Sequence, residues 1–235
     1  MERAAPVPVA DSRVASAPVR YLRDTDPADV ARHCALLDPR PRRRHARVTV
    51  TPWLRPGTWT IDVIARDRRG LLSAVSGVLA REGVDIVSAA VATWPDHTAL
   101  ESFVAASEPP PDPDVLERGI AQTLVRRRSP RPEPVRGAEL TFEDDAVHGV
   151  TVCELRSPDR RGLLHDITAA FALAGVVVHV ARVDSRDGGT ADRFDLTDRR
   201  GRPLNERACE QVRSLVVDGE TRRRRARFRW GTRSR

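Results

Sequence analysis

Apolar positions along this chain keep two different periods, and the same change of period occurs twice. Trp59, Ile61, Val63 and Ala65 alternate with Thr60, Asp62, Ile64 and Arg66. A period of two predicts a strand with one buried face. From Leu71 the spacing widens, and Leu71, Leu72, Val75, Val78 and Leu79 fall on one face of a helix. Gly83 stands where a glycine closes a helix. Val84 to Ala92 then reads as an apolar strand, Pro95-Asp96-His97 as a turn, and Leu100 to Ala105 as a further strand. Asp112 can cap a closing helix that starts at Pro113 and is striped by Leu116, Ile120 and Leu124.

The second half repeats this string. Thr151, Cys153, Leu155 and Ser157 match the first strand, and Leu163, Leu164, Ile167, Ala170 and Phe171 match the helix. Gly175, a strand from Val176 to Val183, a turn at Asp187-Gly188-Gly189 and a strand over Asp192–Leu196 follow. A last helix from about Asn205 carries Ala208, Val212 and Leu215. Between the strand and the helix of each copy lies one identical string. Asp67-Arg68-Arg69-Gly70-Leu71-Leu72 recurs as Asp159-Arg160-Arg161-Gly162-Leu163-Leu164. At the same offset Gly83 matches Gly175, Val84 matches Val176, Ala89 matches Ala181 and Val91 matches Val183, which indicates duplicated domains. Cys153 shares a register with Ile61 and reads as a core residue, not a reactive thiol.

Strand, helix, strand, strand, helix is most of a βαββαβ unit. The predicted fold class is therefore α+β, with two tandem ferredoxin-like βαββαβ units, a short N-terminal helix and disordered termini. The fourth strand is the weak element, because residues 130–134 are Pro-rich and the run after Gly219 is Arg-rich. Incomplete fourth strands would leave edges through which the two sheets can pair. The expected division is residues 1–18 disordered, 19–57 a helical linker segment, 58–135 the first domain, 139–219 the second, and 220–235 a basic tail. In the linker, Asp26 and Pro27 open a helix striped by Val30, Cys34 and Leu37.

Composition agrees with two small aliphatic cores: 40% of residues are hydrophobic, yet only 4% are aromatic. All 40 basic residues are Arg, and the net charge of +7 is carried by the tail, since the rest of the chain is balanced. Cys34, Cys153 and Cys209 are too scattered for a disulfide framework or a zinc site. There is no run long and apolar enough for a membrane helix and no signal-peptide pattern. A soluble, cytoplasmic protein is expected. His97, His148 and His179 lack the spacing of metal ligands. Trp53, Trp59 and Trp94 read as packing residues. His165-Asp166 reads as a solvent-facing pair on a helix. No nucleophile–base or metal constellation suggests catalysis, so no catalytic residue, metal or cofactor is expected. The Arg222–Trp230 stretch of the tail supports an alternative, a module that binds nucleic acid or an acidic protein.

A strand ending in Asp-Arg-x-Gly-Leu-Leu, followed by an amphipathic helix, a glycine and a Val/Ile strand, resembles an ACT domain, a regulatory module that commonly binds amino acids. Leu140-Thr141-Phe142-Glu143-Asp144-Asp145 and Val150-Thr151-Val152 resemble the approach to the last ACT domain of the bifunctional uridylyltransferase/uridylyl-removing enzymes, which modify the PII nitrogen-signalling protein. Tyr21-Leu22, Pro27 and Ala31-Arg32-His33 resemble the segment that joins that family's hydrolase domain to its first ACT domain. The resemblance implies glutamine as ligand, a role in nitrogen signalling, and a second copy or a catalytic protein as partner. Its catalytic motifs are not found here. The family usually has Pro where Arg69 and Arg161 stand, so each loop keeps its glycine and loses a rigid residue.

The residues alone leave two readings of these loops. Asp67, Arg68, Arg69, Gly70, Leu71 and Leu72, with Asp159, Arg160, Arg161, Gly162, Leu163 and Leu164, can form a ligand site. In that reading the backbone N–H groups of the helix's first turn receive a carboxylate, and Asp67 or Asp159 receives an ammonium. In the plainer reading the two Asp residues cap the helices and the two Gly residues make the turns.

Overall fold

The computed structural model describes residues 9–125, 132–183, 185–186 and 189–219. Three helices come first: α1 (Val9–Ala15), α2 (Val19–Asp24) and α3 (Pro27–Leu36). A unit of β1 (Ala46–Pro52), β2 (Thr58–Arg66), α4 (Leu71–Arg81), β3 (Asp85–Thr93), β4 (Thr98–Ala106) and α5 (Pro113–Val125) follows. The second unit has β5 (Glu139–Asp145), β6 (Val150–Pro158), α6 (Leu163–Ala174), β7 (Val177–Arg182), a two-residue β8 (Ser185–Arg186), β9 (Gly189–Thr197) and α7 (Glu206–Asp218).

Each unit is an antiparallel sheet covered by two helices, and the chain is two ferredoxin-like α+β domains in tandem. Strand order is β1-β2-β4-β3 in the first sheet and β5-β6-β9-β7 in the second, with β8 pairing to β9. The fourth strand therefore enters before the repeat, not after its last helix. β1 pairs along the whole of Ala46–Pro52 with β2, and β5 along Glu139–Asp145 with β6. Each fills the edge that the Pro-rich and Arg-rich stretches could not. The first domain thus starts at Ala46, inside the segment expected as a helical linker.

Local signals explain the helix ends. Asp26 accepts the Ala28 N–H at 2.8 Å, Asp112 the Asp114 N–H at 2.8 Å, and Asn205 the Ala208 N–H at 2.9 Å. The central strands are apolar toward the helices, and one continuous cluster runs through both domains, from Ile61, Val75 and Phe103 to Leu155, Ile167 and Phe194. Phe171 and Phe194 meet edge to face with centroids 5.0 Å apart. Cys153 is fully buried, and burial pushes its thiol up to about 12.

The domains meet side by side, β3 against β7 and α4 against α6. The edges that approach are these, not the fourth-strand edges; β1 and β5 lie at the far ends. His165 is not solvent-facing. It lies on α6 in this seam, where its Nδ1 donates to the Ser73 carbonyl at 2.7 Å. Asp166 is buried, accepts the Glu133 N–H at 2.8 Å and pairs with Arg160 at 2.6 Å.

The N-terminal segment is the largest departure from expectation. Residues 9–15, expected to lack order, form α1, and Arg13 pairs with Asp38 and Asp96, each at 2.8 Å. Residues 1–8 lie outside the described residues. Tyr21, Val30, Cys34 and Leu37 pack with Ile64, Leu100 and Trp94 in a second core on the sheet's other face. β2 is thus buried on both faces, not one. Trp94 is buried and donates to the Arg13 carbonyl at 2.9 Å, whereas Trp53 is exposed. Burying this face also buries Asp62. Ser102 donates to it at 2.6 Å, His33 Nε2 lies 3.2 Å from it, and Arg32 pairs with its other oxygen. The Tyr21 hydroxyl meets His33 Nδ1 at 2.8 Å and extends the chain of bonds.

Candidate functional site

The repeated loops fall at the domain seam. In each, the residue before the helix is a glycine in the left-handed region, Gly70 at φ 74° and Gly162 at φ 80°. Side chains other than glycine rarely adopt this conformation, which explains the invariant letter in the repeat. No side chain caps either helix. Asp67 and Asp159 therefore do not act as the expected caps; the Leu71 and Leu163 N–H groups donate to the carbonyls of Arg68 and Arg160 at 3.1 Å, which leaves the next N–H groups of each first turn to face an anion.

Each loop faces the other domain. Loop 67–72 lines a cleft of about 200 Å³ with Val91, Thr93 and Glu101 of its own domain and Ala172, Gly175, Val178 and Arg199 of the second. Asp159, Arg160, Gly162, Leu163 and Leu164 line the counterpart with Ser76, Ala80 and Asp85 of the first domain and Asp192 of their own, but only about 20 Å³ is open there. That is about the room one water needs. The first cleft has space for a small organic molecule. His165 is among the residues that line the second.

The two pairs of arginines do different work. Arg68 turns away to the Leu124 carbonyl. Arg69 crosses the seam and donates to the carbonyls of Ala172 and Leu173, the last turn of α6. A guanidinium is favourable there, because the final carbonyls of a helix lack partners. The residue that replaces the family's Pro thus clamps one domain to the other. Arg160 is taken by Asp166, and Arg161 is exposed beside Gly83.

The first cleft has two poles. Arg199 rests against Gly175, where a Cβ would come within 2.9 Å of its Nε. Together with the start of α4 it forms the positive pole. Asp67 and Glu101 form the acidic one. Asp67 stands at the surface, yet the protein around its carboxyl pushes it above the usual carboxylate range, against the Arg68 N–H that favours the charged form. Glu101 is 1% exposed, and burial, then the neighbouring Asp67, pushes its carboxyl well above the ordinary value. Its Oε2 has no hydrogen-bond partner.

Sequence reasoning identified the loops and missed Glu101, Arg199 and the wall from the second domain. A signal for Glu101 was present: it occupies an inward position of β4, between Ala99 and Phe103, where the pattern calls for an apolar residue. Asp192 holds the matching place, since Glu101 pairs with Val63 and Asp192 with Leu155. Among the described residues no group of three His, Cys, Asp or Glu could hold a metal ion, and no helix is long and apolar enough to cross a membrane. The basic tail, residues 220–235, lies outside the described residues.

Fold and clefts together define a class: paired α+β domains whose seam holds a cleft with room for a small molecule. The family model for the ACT domain matches residues 59–118 and 151–216, and the chain belongs to that family, whose domains are of the regulatory, amino-acid-binding type. It is similar to the bifunctional uridylyltransferase/uridylyl-removing enzyme of Xanthomonas campestris pv. campestris, 31% identical over 66% of this chain and 20% of the relative. The enzyme of the same description from Rhodospirillum rubrum is 28% identical over 83% of this chain and 23% of the relative. The chain thus spans about a fifth of the length of the curated relatives it matches. The aspartate kinase from Synechocystis overlays on it with a TM-score of 0.42 and 18% identity, over 68% of this chain and 26% of that one.

Proposed function

We propose that this chain is a cytoplasmic regulatory module that binds a free amino acid, glutamine above others, in the cleft between its two domains. It signals nitrogen status to catalytic domains or to a partner protein, and it performs no uridylyl transfer or removal itself. The observation that carries this reading is the two-pole cleft at loop 67–72. A zwitterion needs an anion receptor and a cation receptor a few ångströms apart, and the α4 N-terminus with Arg199 and Asp67 with Glu101 supply them. The similarity to uridylyltransferase/uridylyl-removing enzymes supports a regulatory role beside catalytic domains; glutamine and nitrogen signalling are what the resemblance to that family implies.

Calorimetric titration of the twenty amino acids into the full chain tests the reading. Glutamine should bind, and Asp67→Ala should weaken it by about 1.5–3 kcal/mol through loss of a charge-assisted bond. The Asp159→Ala change, beside the nearly closed cleft, should leave binding as it was. Failure of every amino acid to bind at millimolar concentration would remove the reading.

A further inference from the structure

The first cleft contains a group that the repeated motif does not account for. Glu101 is a carboxyl on the central strand β4, fully buried, lining the cleft, with one oxygen that bonds to nothing. Leaving a buried polar oxygen unsatisfied is costly, and native structures satisfy nearly all of them. An apolar residue would have served at this inward position, as Ala99 and Phe103 do on either side. The other charged groups of the cleft are Asp67, Arg68, Arg69 and Arg199. Arg68 and Arg69 are turned to main-chain carbonyls of α5 and α6, and neither pairs with Glu101.

We propose that Glu101 is the residue that selects ligands bearing an amine: its buried oxygen and the Asp67 carboxylate together receive the ligand's ammonium group. This rests on the reading of the cleft as an amino-acid site and adds a residue and a proton to it. An ammonium has three donors, so it can satisfy both carboxyls at once. It also brings a positive charge beside Glu101, whereas the histidines His97 and His179 act on Asp67. In the empty cleft, burial and the Asp67 charge favour the protonated form of Glu101. An arriving ammonium favours the ionised form, and the proton leaves to solvent. Binding therefore releases up to one proton, and affinity rises with pH over the range in which the empty-cleft Glu101 titrates.

The experiment uses the full chain, wild type and Glu101→Gln, with three probes: L-glutamine, glutaramate (glutamine without its amine) and n-butylamine. Titrations in buffers of differing ionisation enthalpy count the protons released. The expected result is that wild type binds glutamine with proton release, and that Glu101→Gln weakens it about tenfold to a hundredfold and abolishes the release. Glutaramate should bind both proteins equally. If glutamine binds wild type and variant alike, the role of Glu101 is overturned and the amino-acid reading stands. If no amino acid binds but n-butylamine does, and loses affinity in the variant, Glu101 stands and the amino-acid reading falls. If nothing binds, both fall. Proton release by wild type alone keeps the test decisive should the variant not fold, because binding of glutamine without release overturns the proposal.

Discussion

The two domains share strand order and helix placement, but their outer sheet faces differ. In the first domain that face is sealed by the N-terminal helices, and Asp62 and Ile64 on β2 are fully buried. In the second domain the matching residues of β6 are Glu154 and Arg156, both exposed, and Glu154 pairs loosely with Arg193 at 3.4 Å. The inward residues scarcely change, with Ile61 and Val63 answered by Cys153 and Leu155. The helix side of a strand is fixed by the fold, while the other side records what the rest of the chain places on it. An acid that is solvated in one copy is enclosed in the other, and it remains tolerable there only because Ser102, His33 and Arg32 surround it.

That contrast can be broken most forcefully at the enclosed acid. Asp62→Ala should destabilise the chain by about 2–4 kcal/mol, since it leaves His33 and Ser102 without their acceptor; Arg32, a third exposed, keeps Asp29 as its partner. Glu154→Ala, at the same register, should stay within about 0.5 kcal/mol. Urea denaturation of the two variants decides, and equal losses would mean that the N-terminal seal contributes nothing. The arginines that replace proline give a second, smaller contrast. Arg69→Ala should cost about 1–2 kcal/mol by freeing the carbonyls of α6, and Arg161→Ala next to nothing. A thermal melt of each variant measures the difference.

The smallest effect at any one pH is a matter of sign. Burial raises the Asp62 carboxyl, but hydrogen bonds from His33 and Ser102 and the Arg32 charge outweigh it and hold it below 3.8. The stability it contributes is present above that value and is lost as pH falls through the folded pKa. Glu101 is raised above 4.5, so its contribution is present below that pH and is lost as pH rises through the folded pKa. Relative to wild type, Asp62→Asn should therefore lose its disadvantage in acid, and Glu101→Gln should gain its advantage as pH rises. Stability curves of the two variants with the same slope would contradict the assignment.

Much of the fold was legible because the information is local. The glycine of each loop, the change from period two to period 3.6 and the capping residues all act within a few positions. The edge strands were not legible. An edge strand buries little, and in β1 and β5 the only buried residues are Val48 and Leu140. The stripe of Val30, Cys34 and Leu37 announced a helix with one buried face, but nothing in it says that the face meets Ile64 and Trp94. The site divides in the same way. Its loops are contiguous in sequence and were found. Its opposite wall lies about a hundred residues further along, as the bond from Arg69 to Ala172 measures, and no spacing rule reaches that far.

Because both halves of the seam belong to one chain, its assembly does not depend on protein concentration. Two identical subunits meeting in this way would be bound by twofold symmetry, and any change in one cleft would appear in the other. A tethered pair escapes that constraint. One cleft, lined in part by His165, has only about 20 Å³ open, while the other keeps about 200 Å³ and its two acids. Under the proposed function a single amino acid then suffices to fill the seam, and the response to it need not be cooperative.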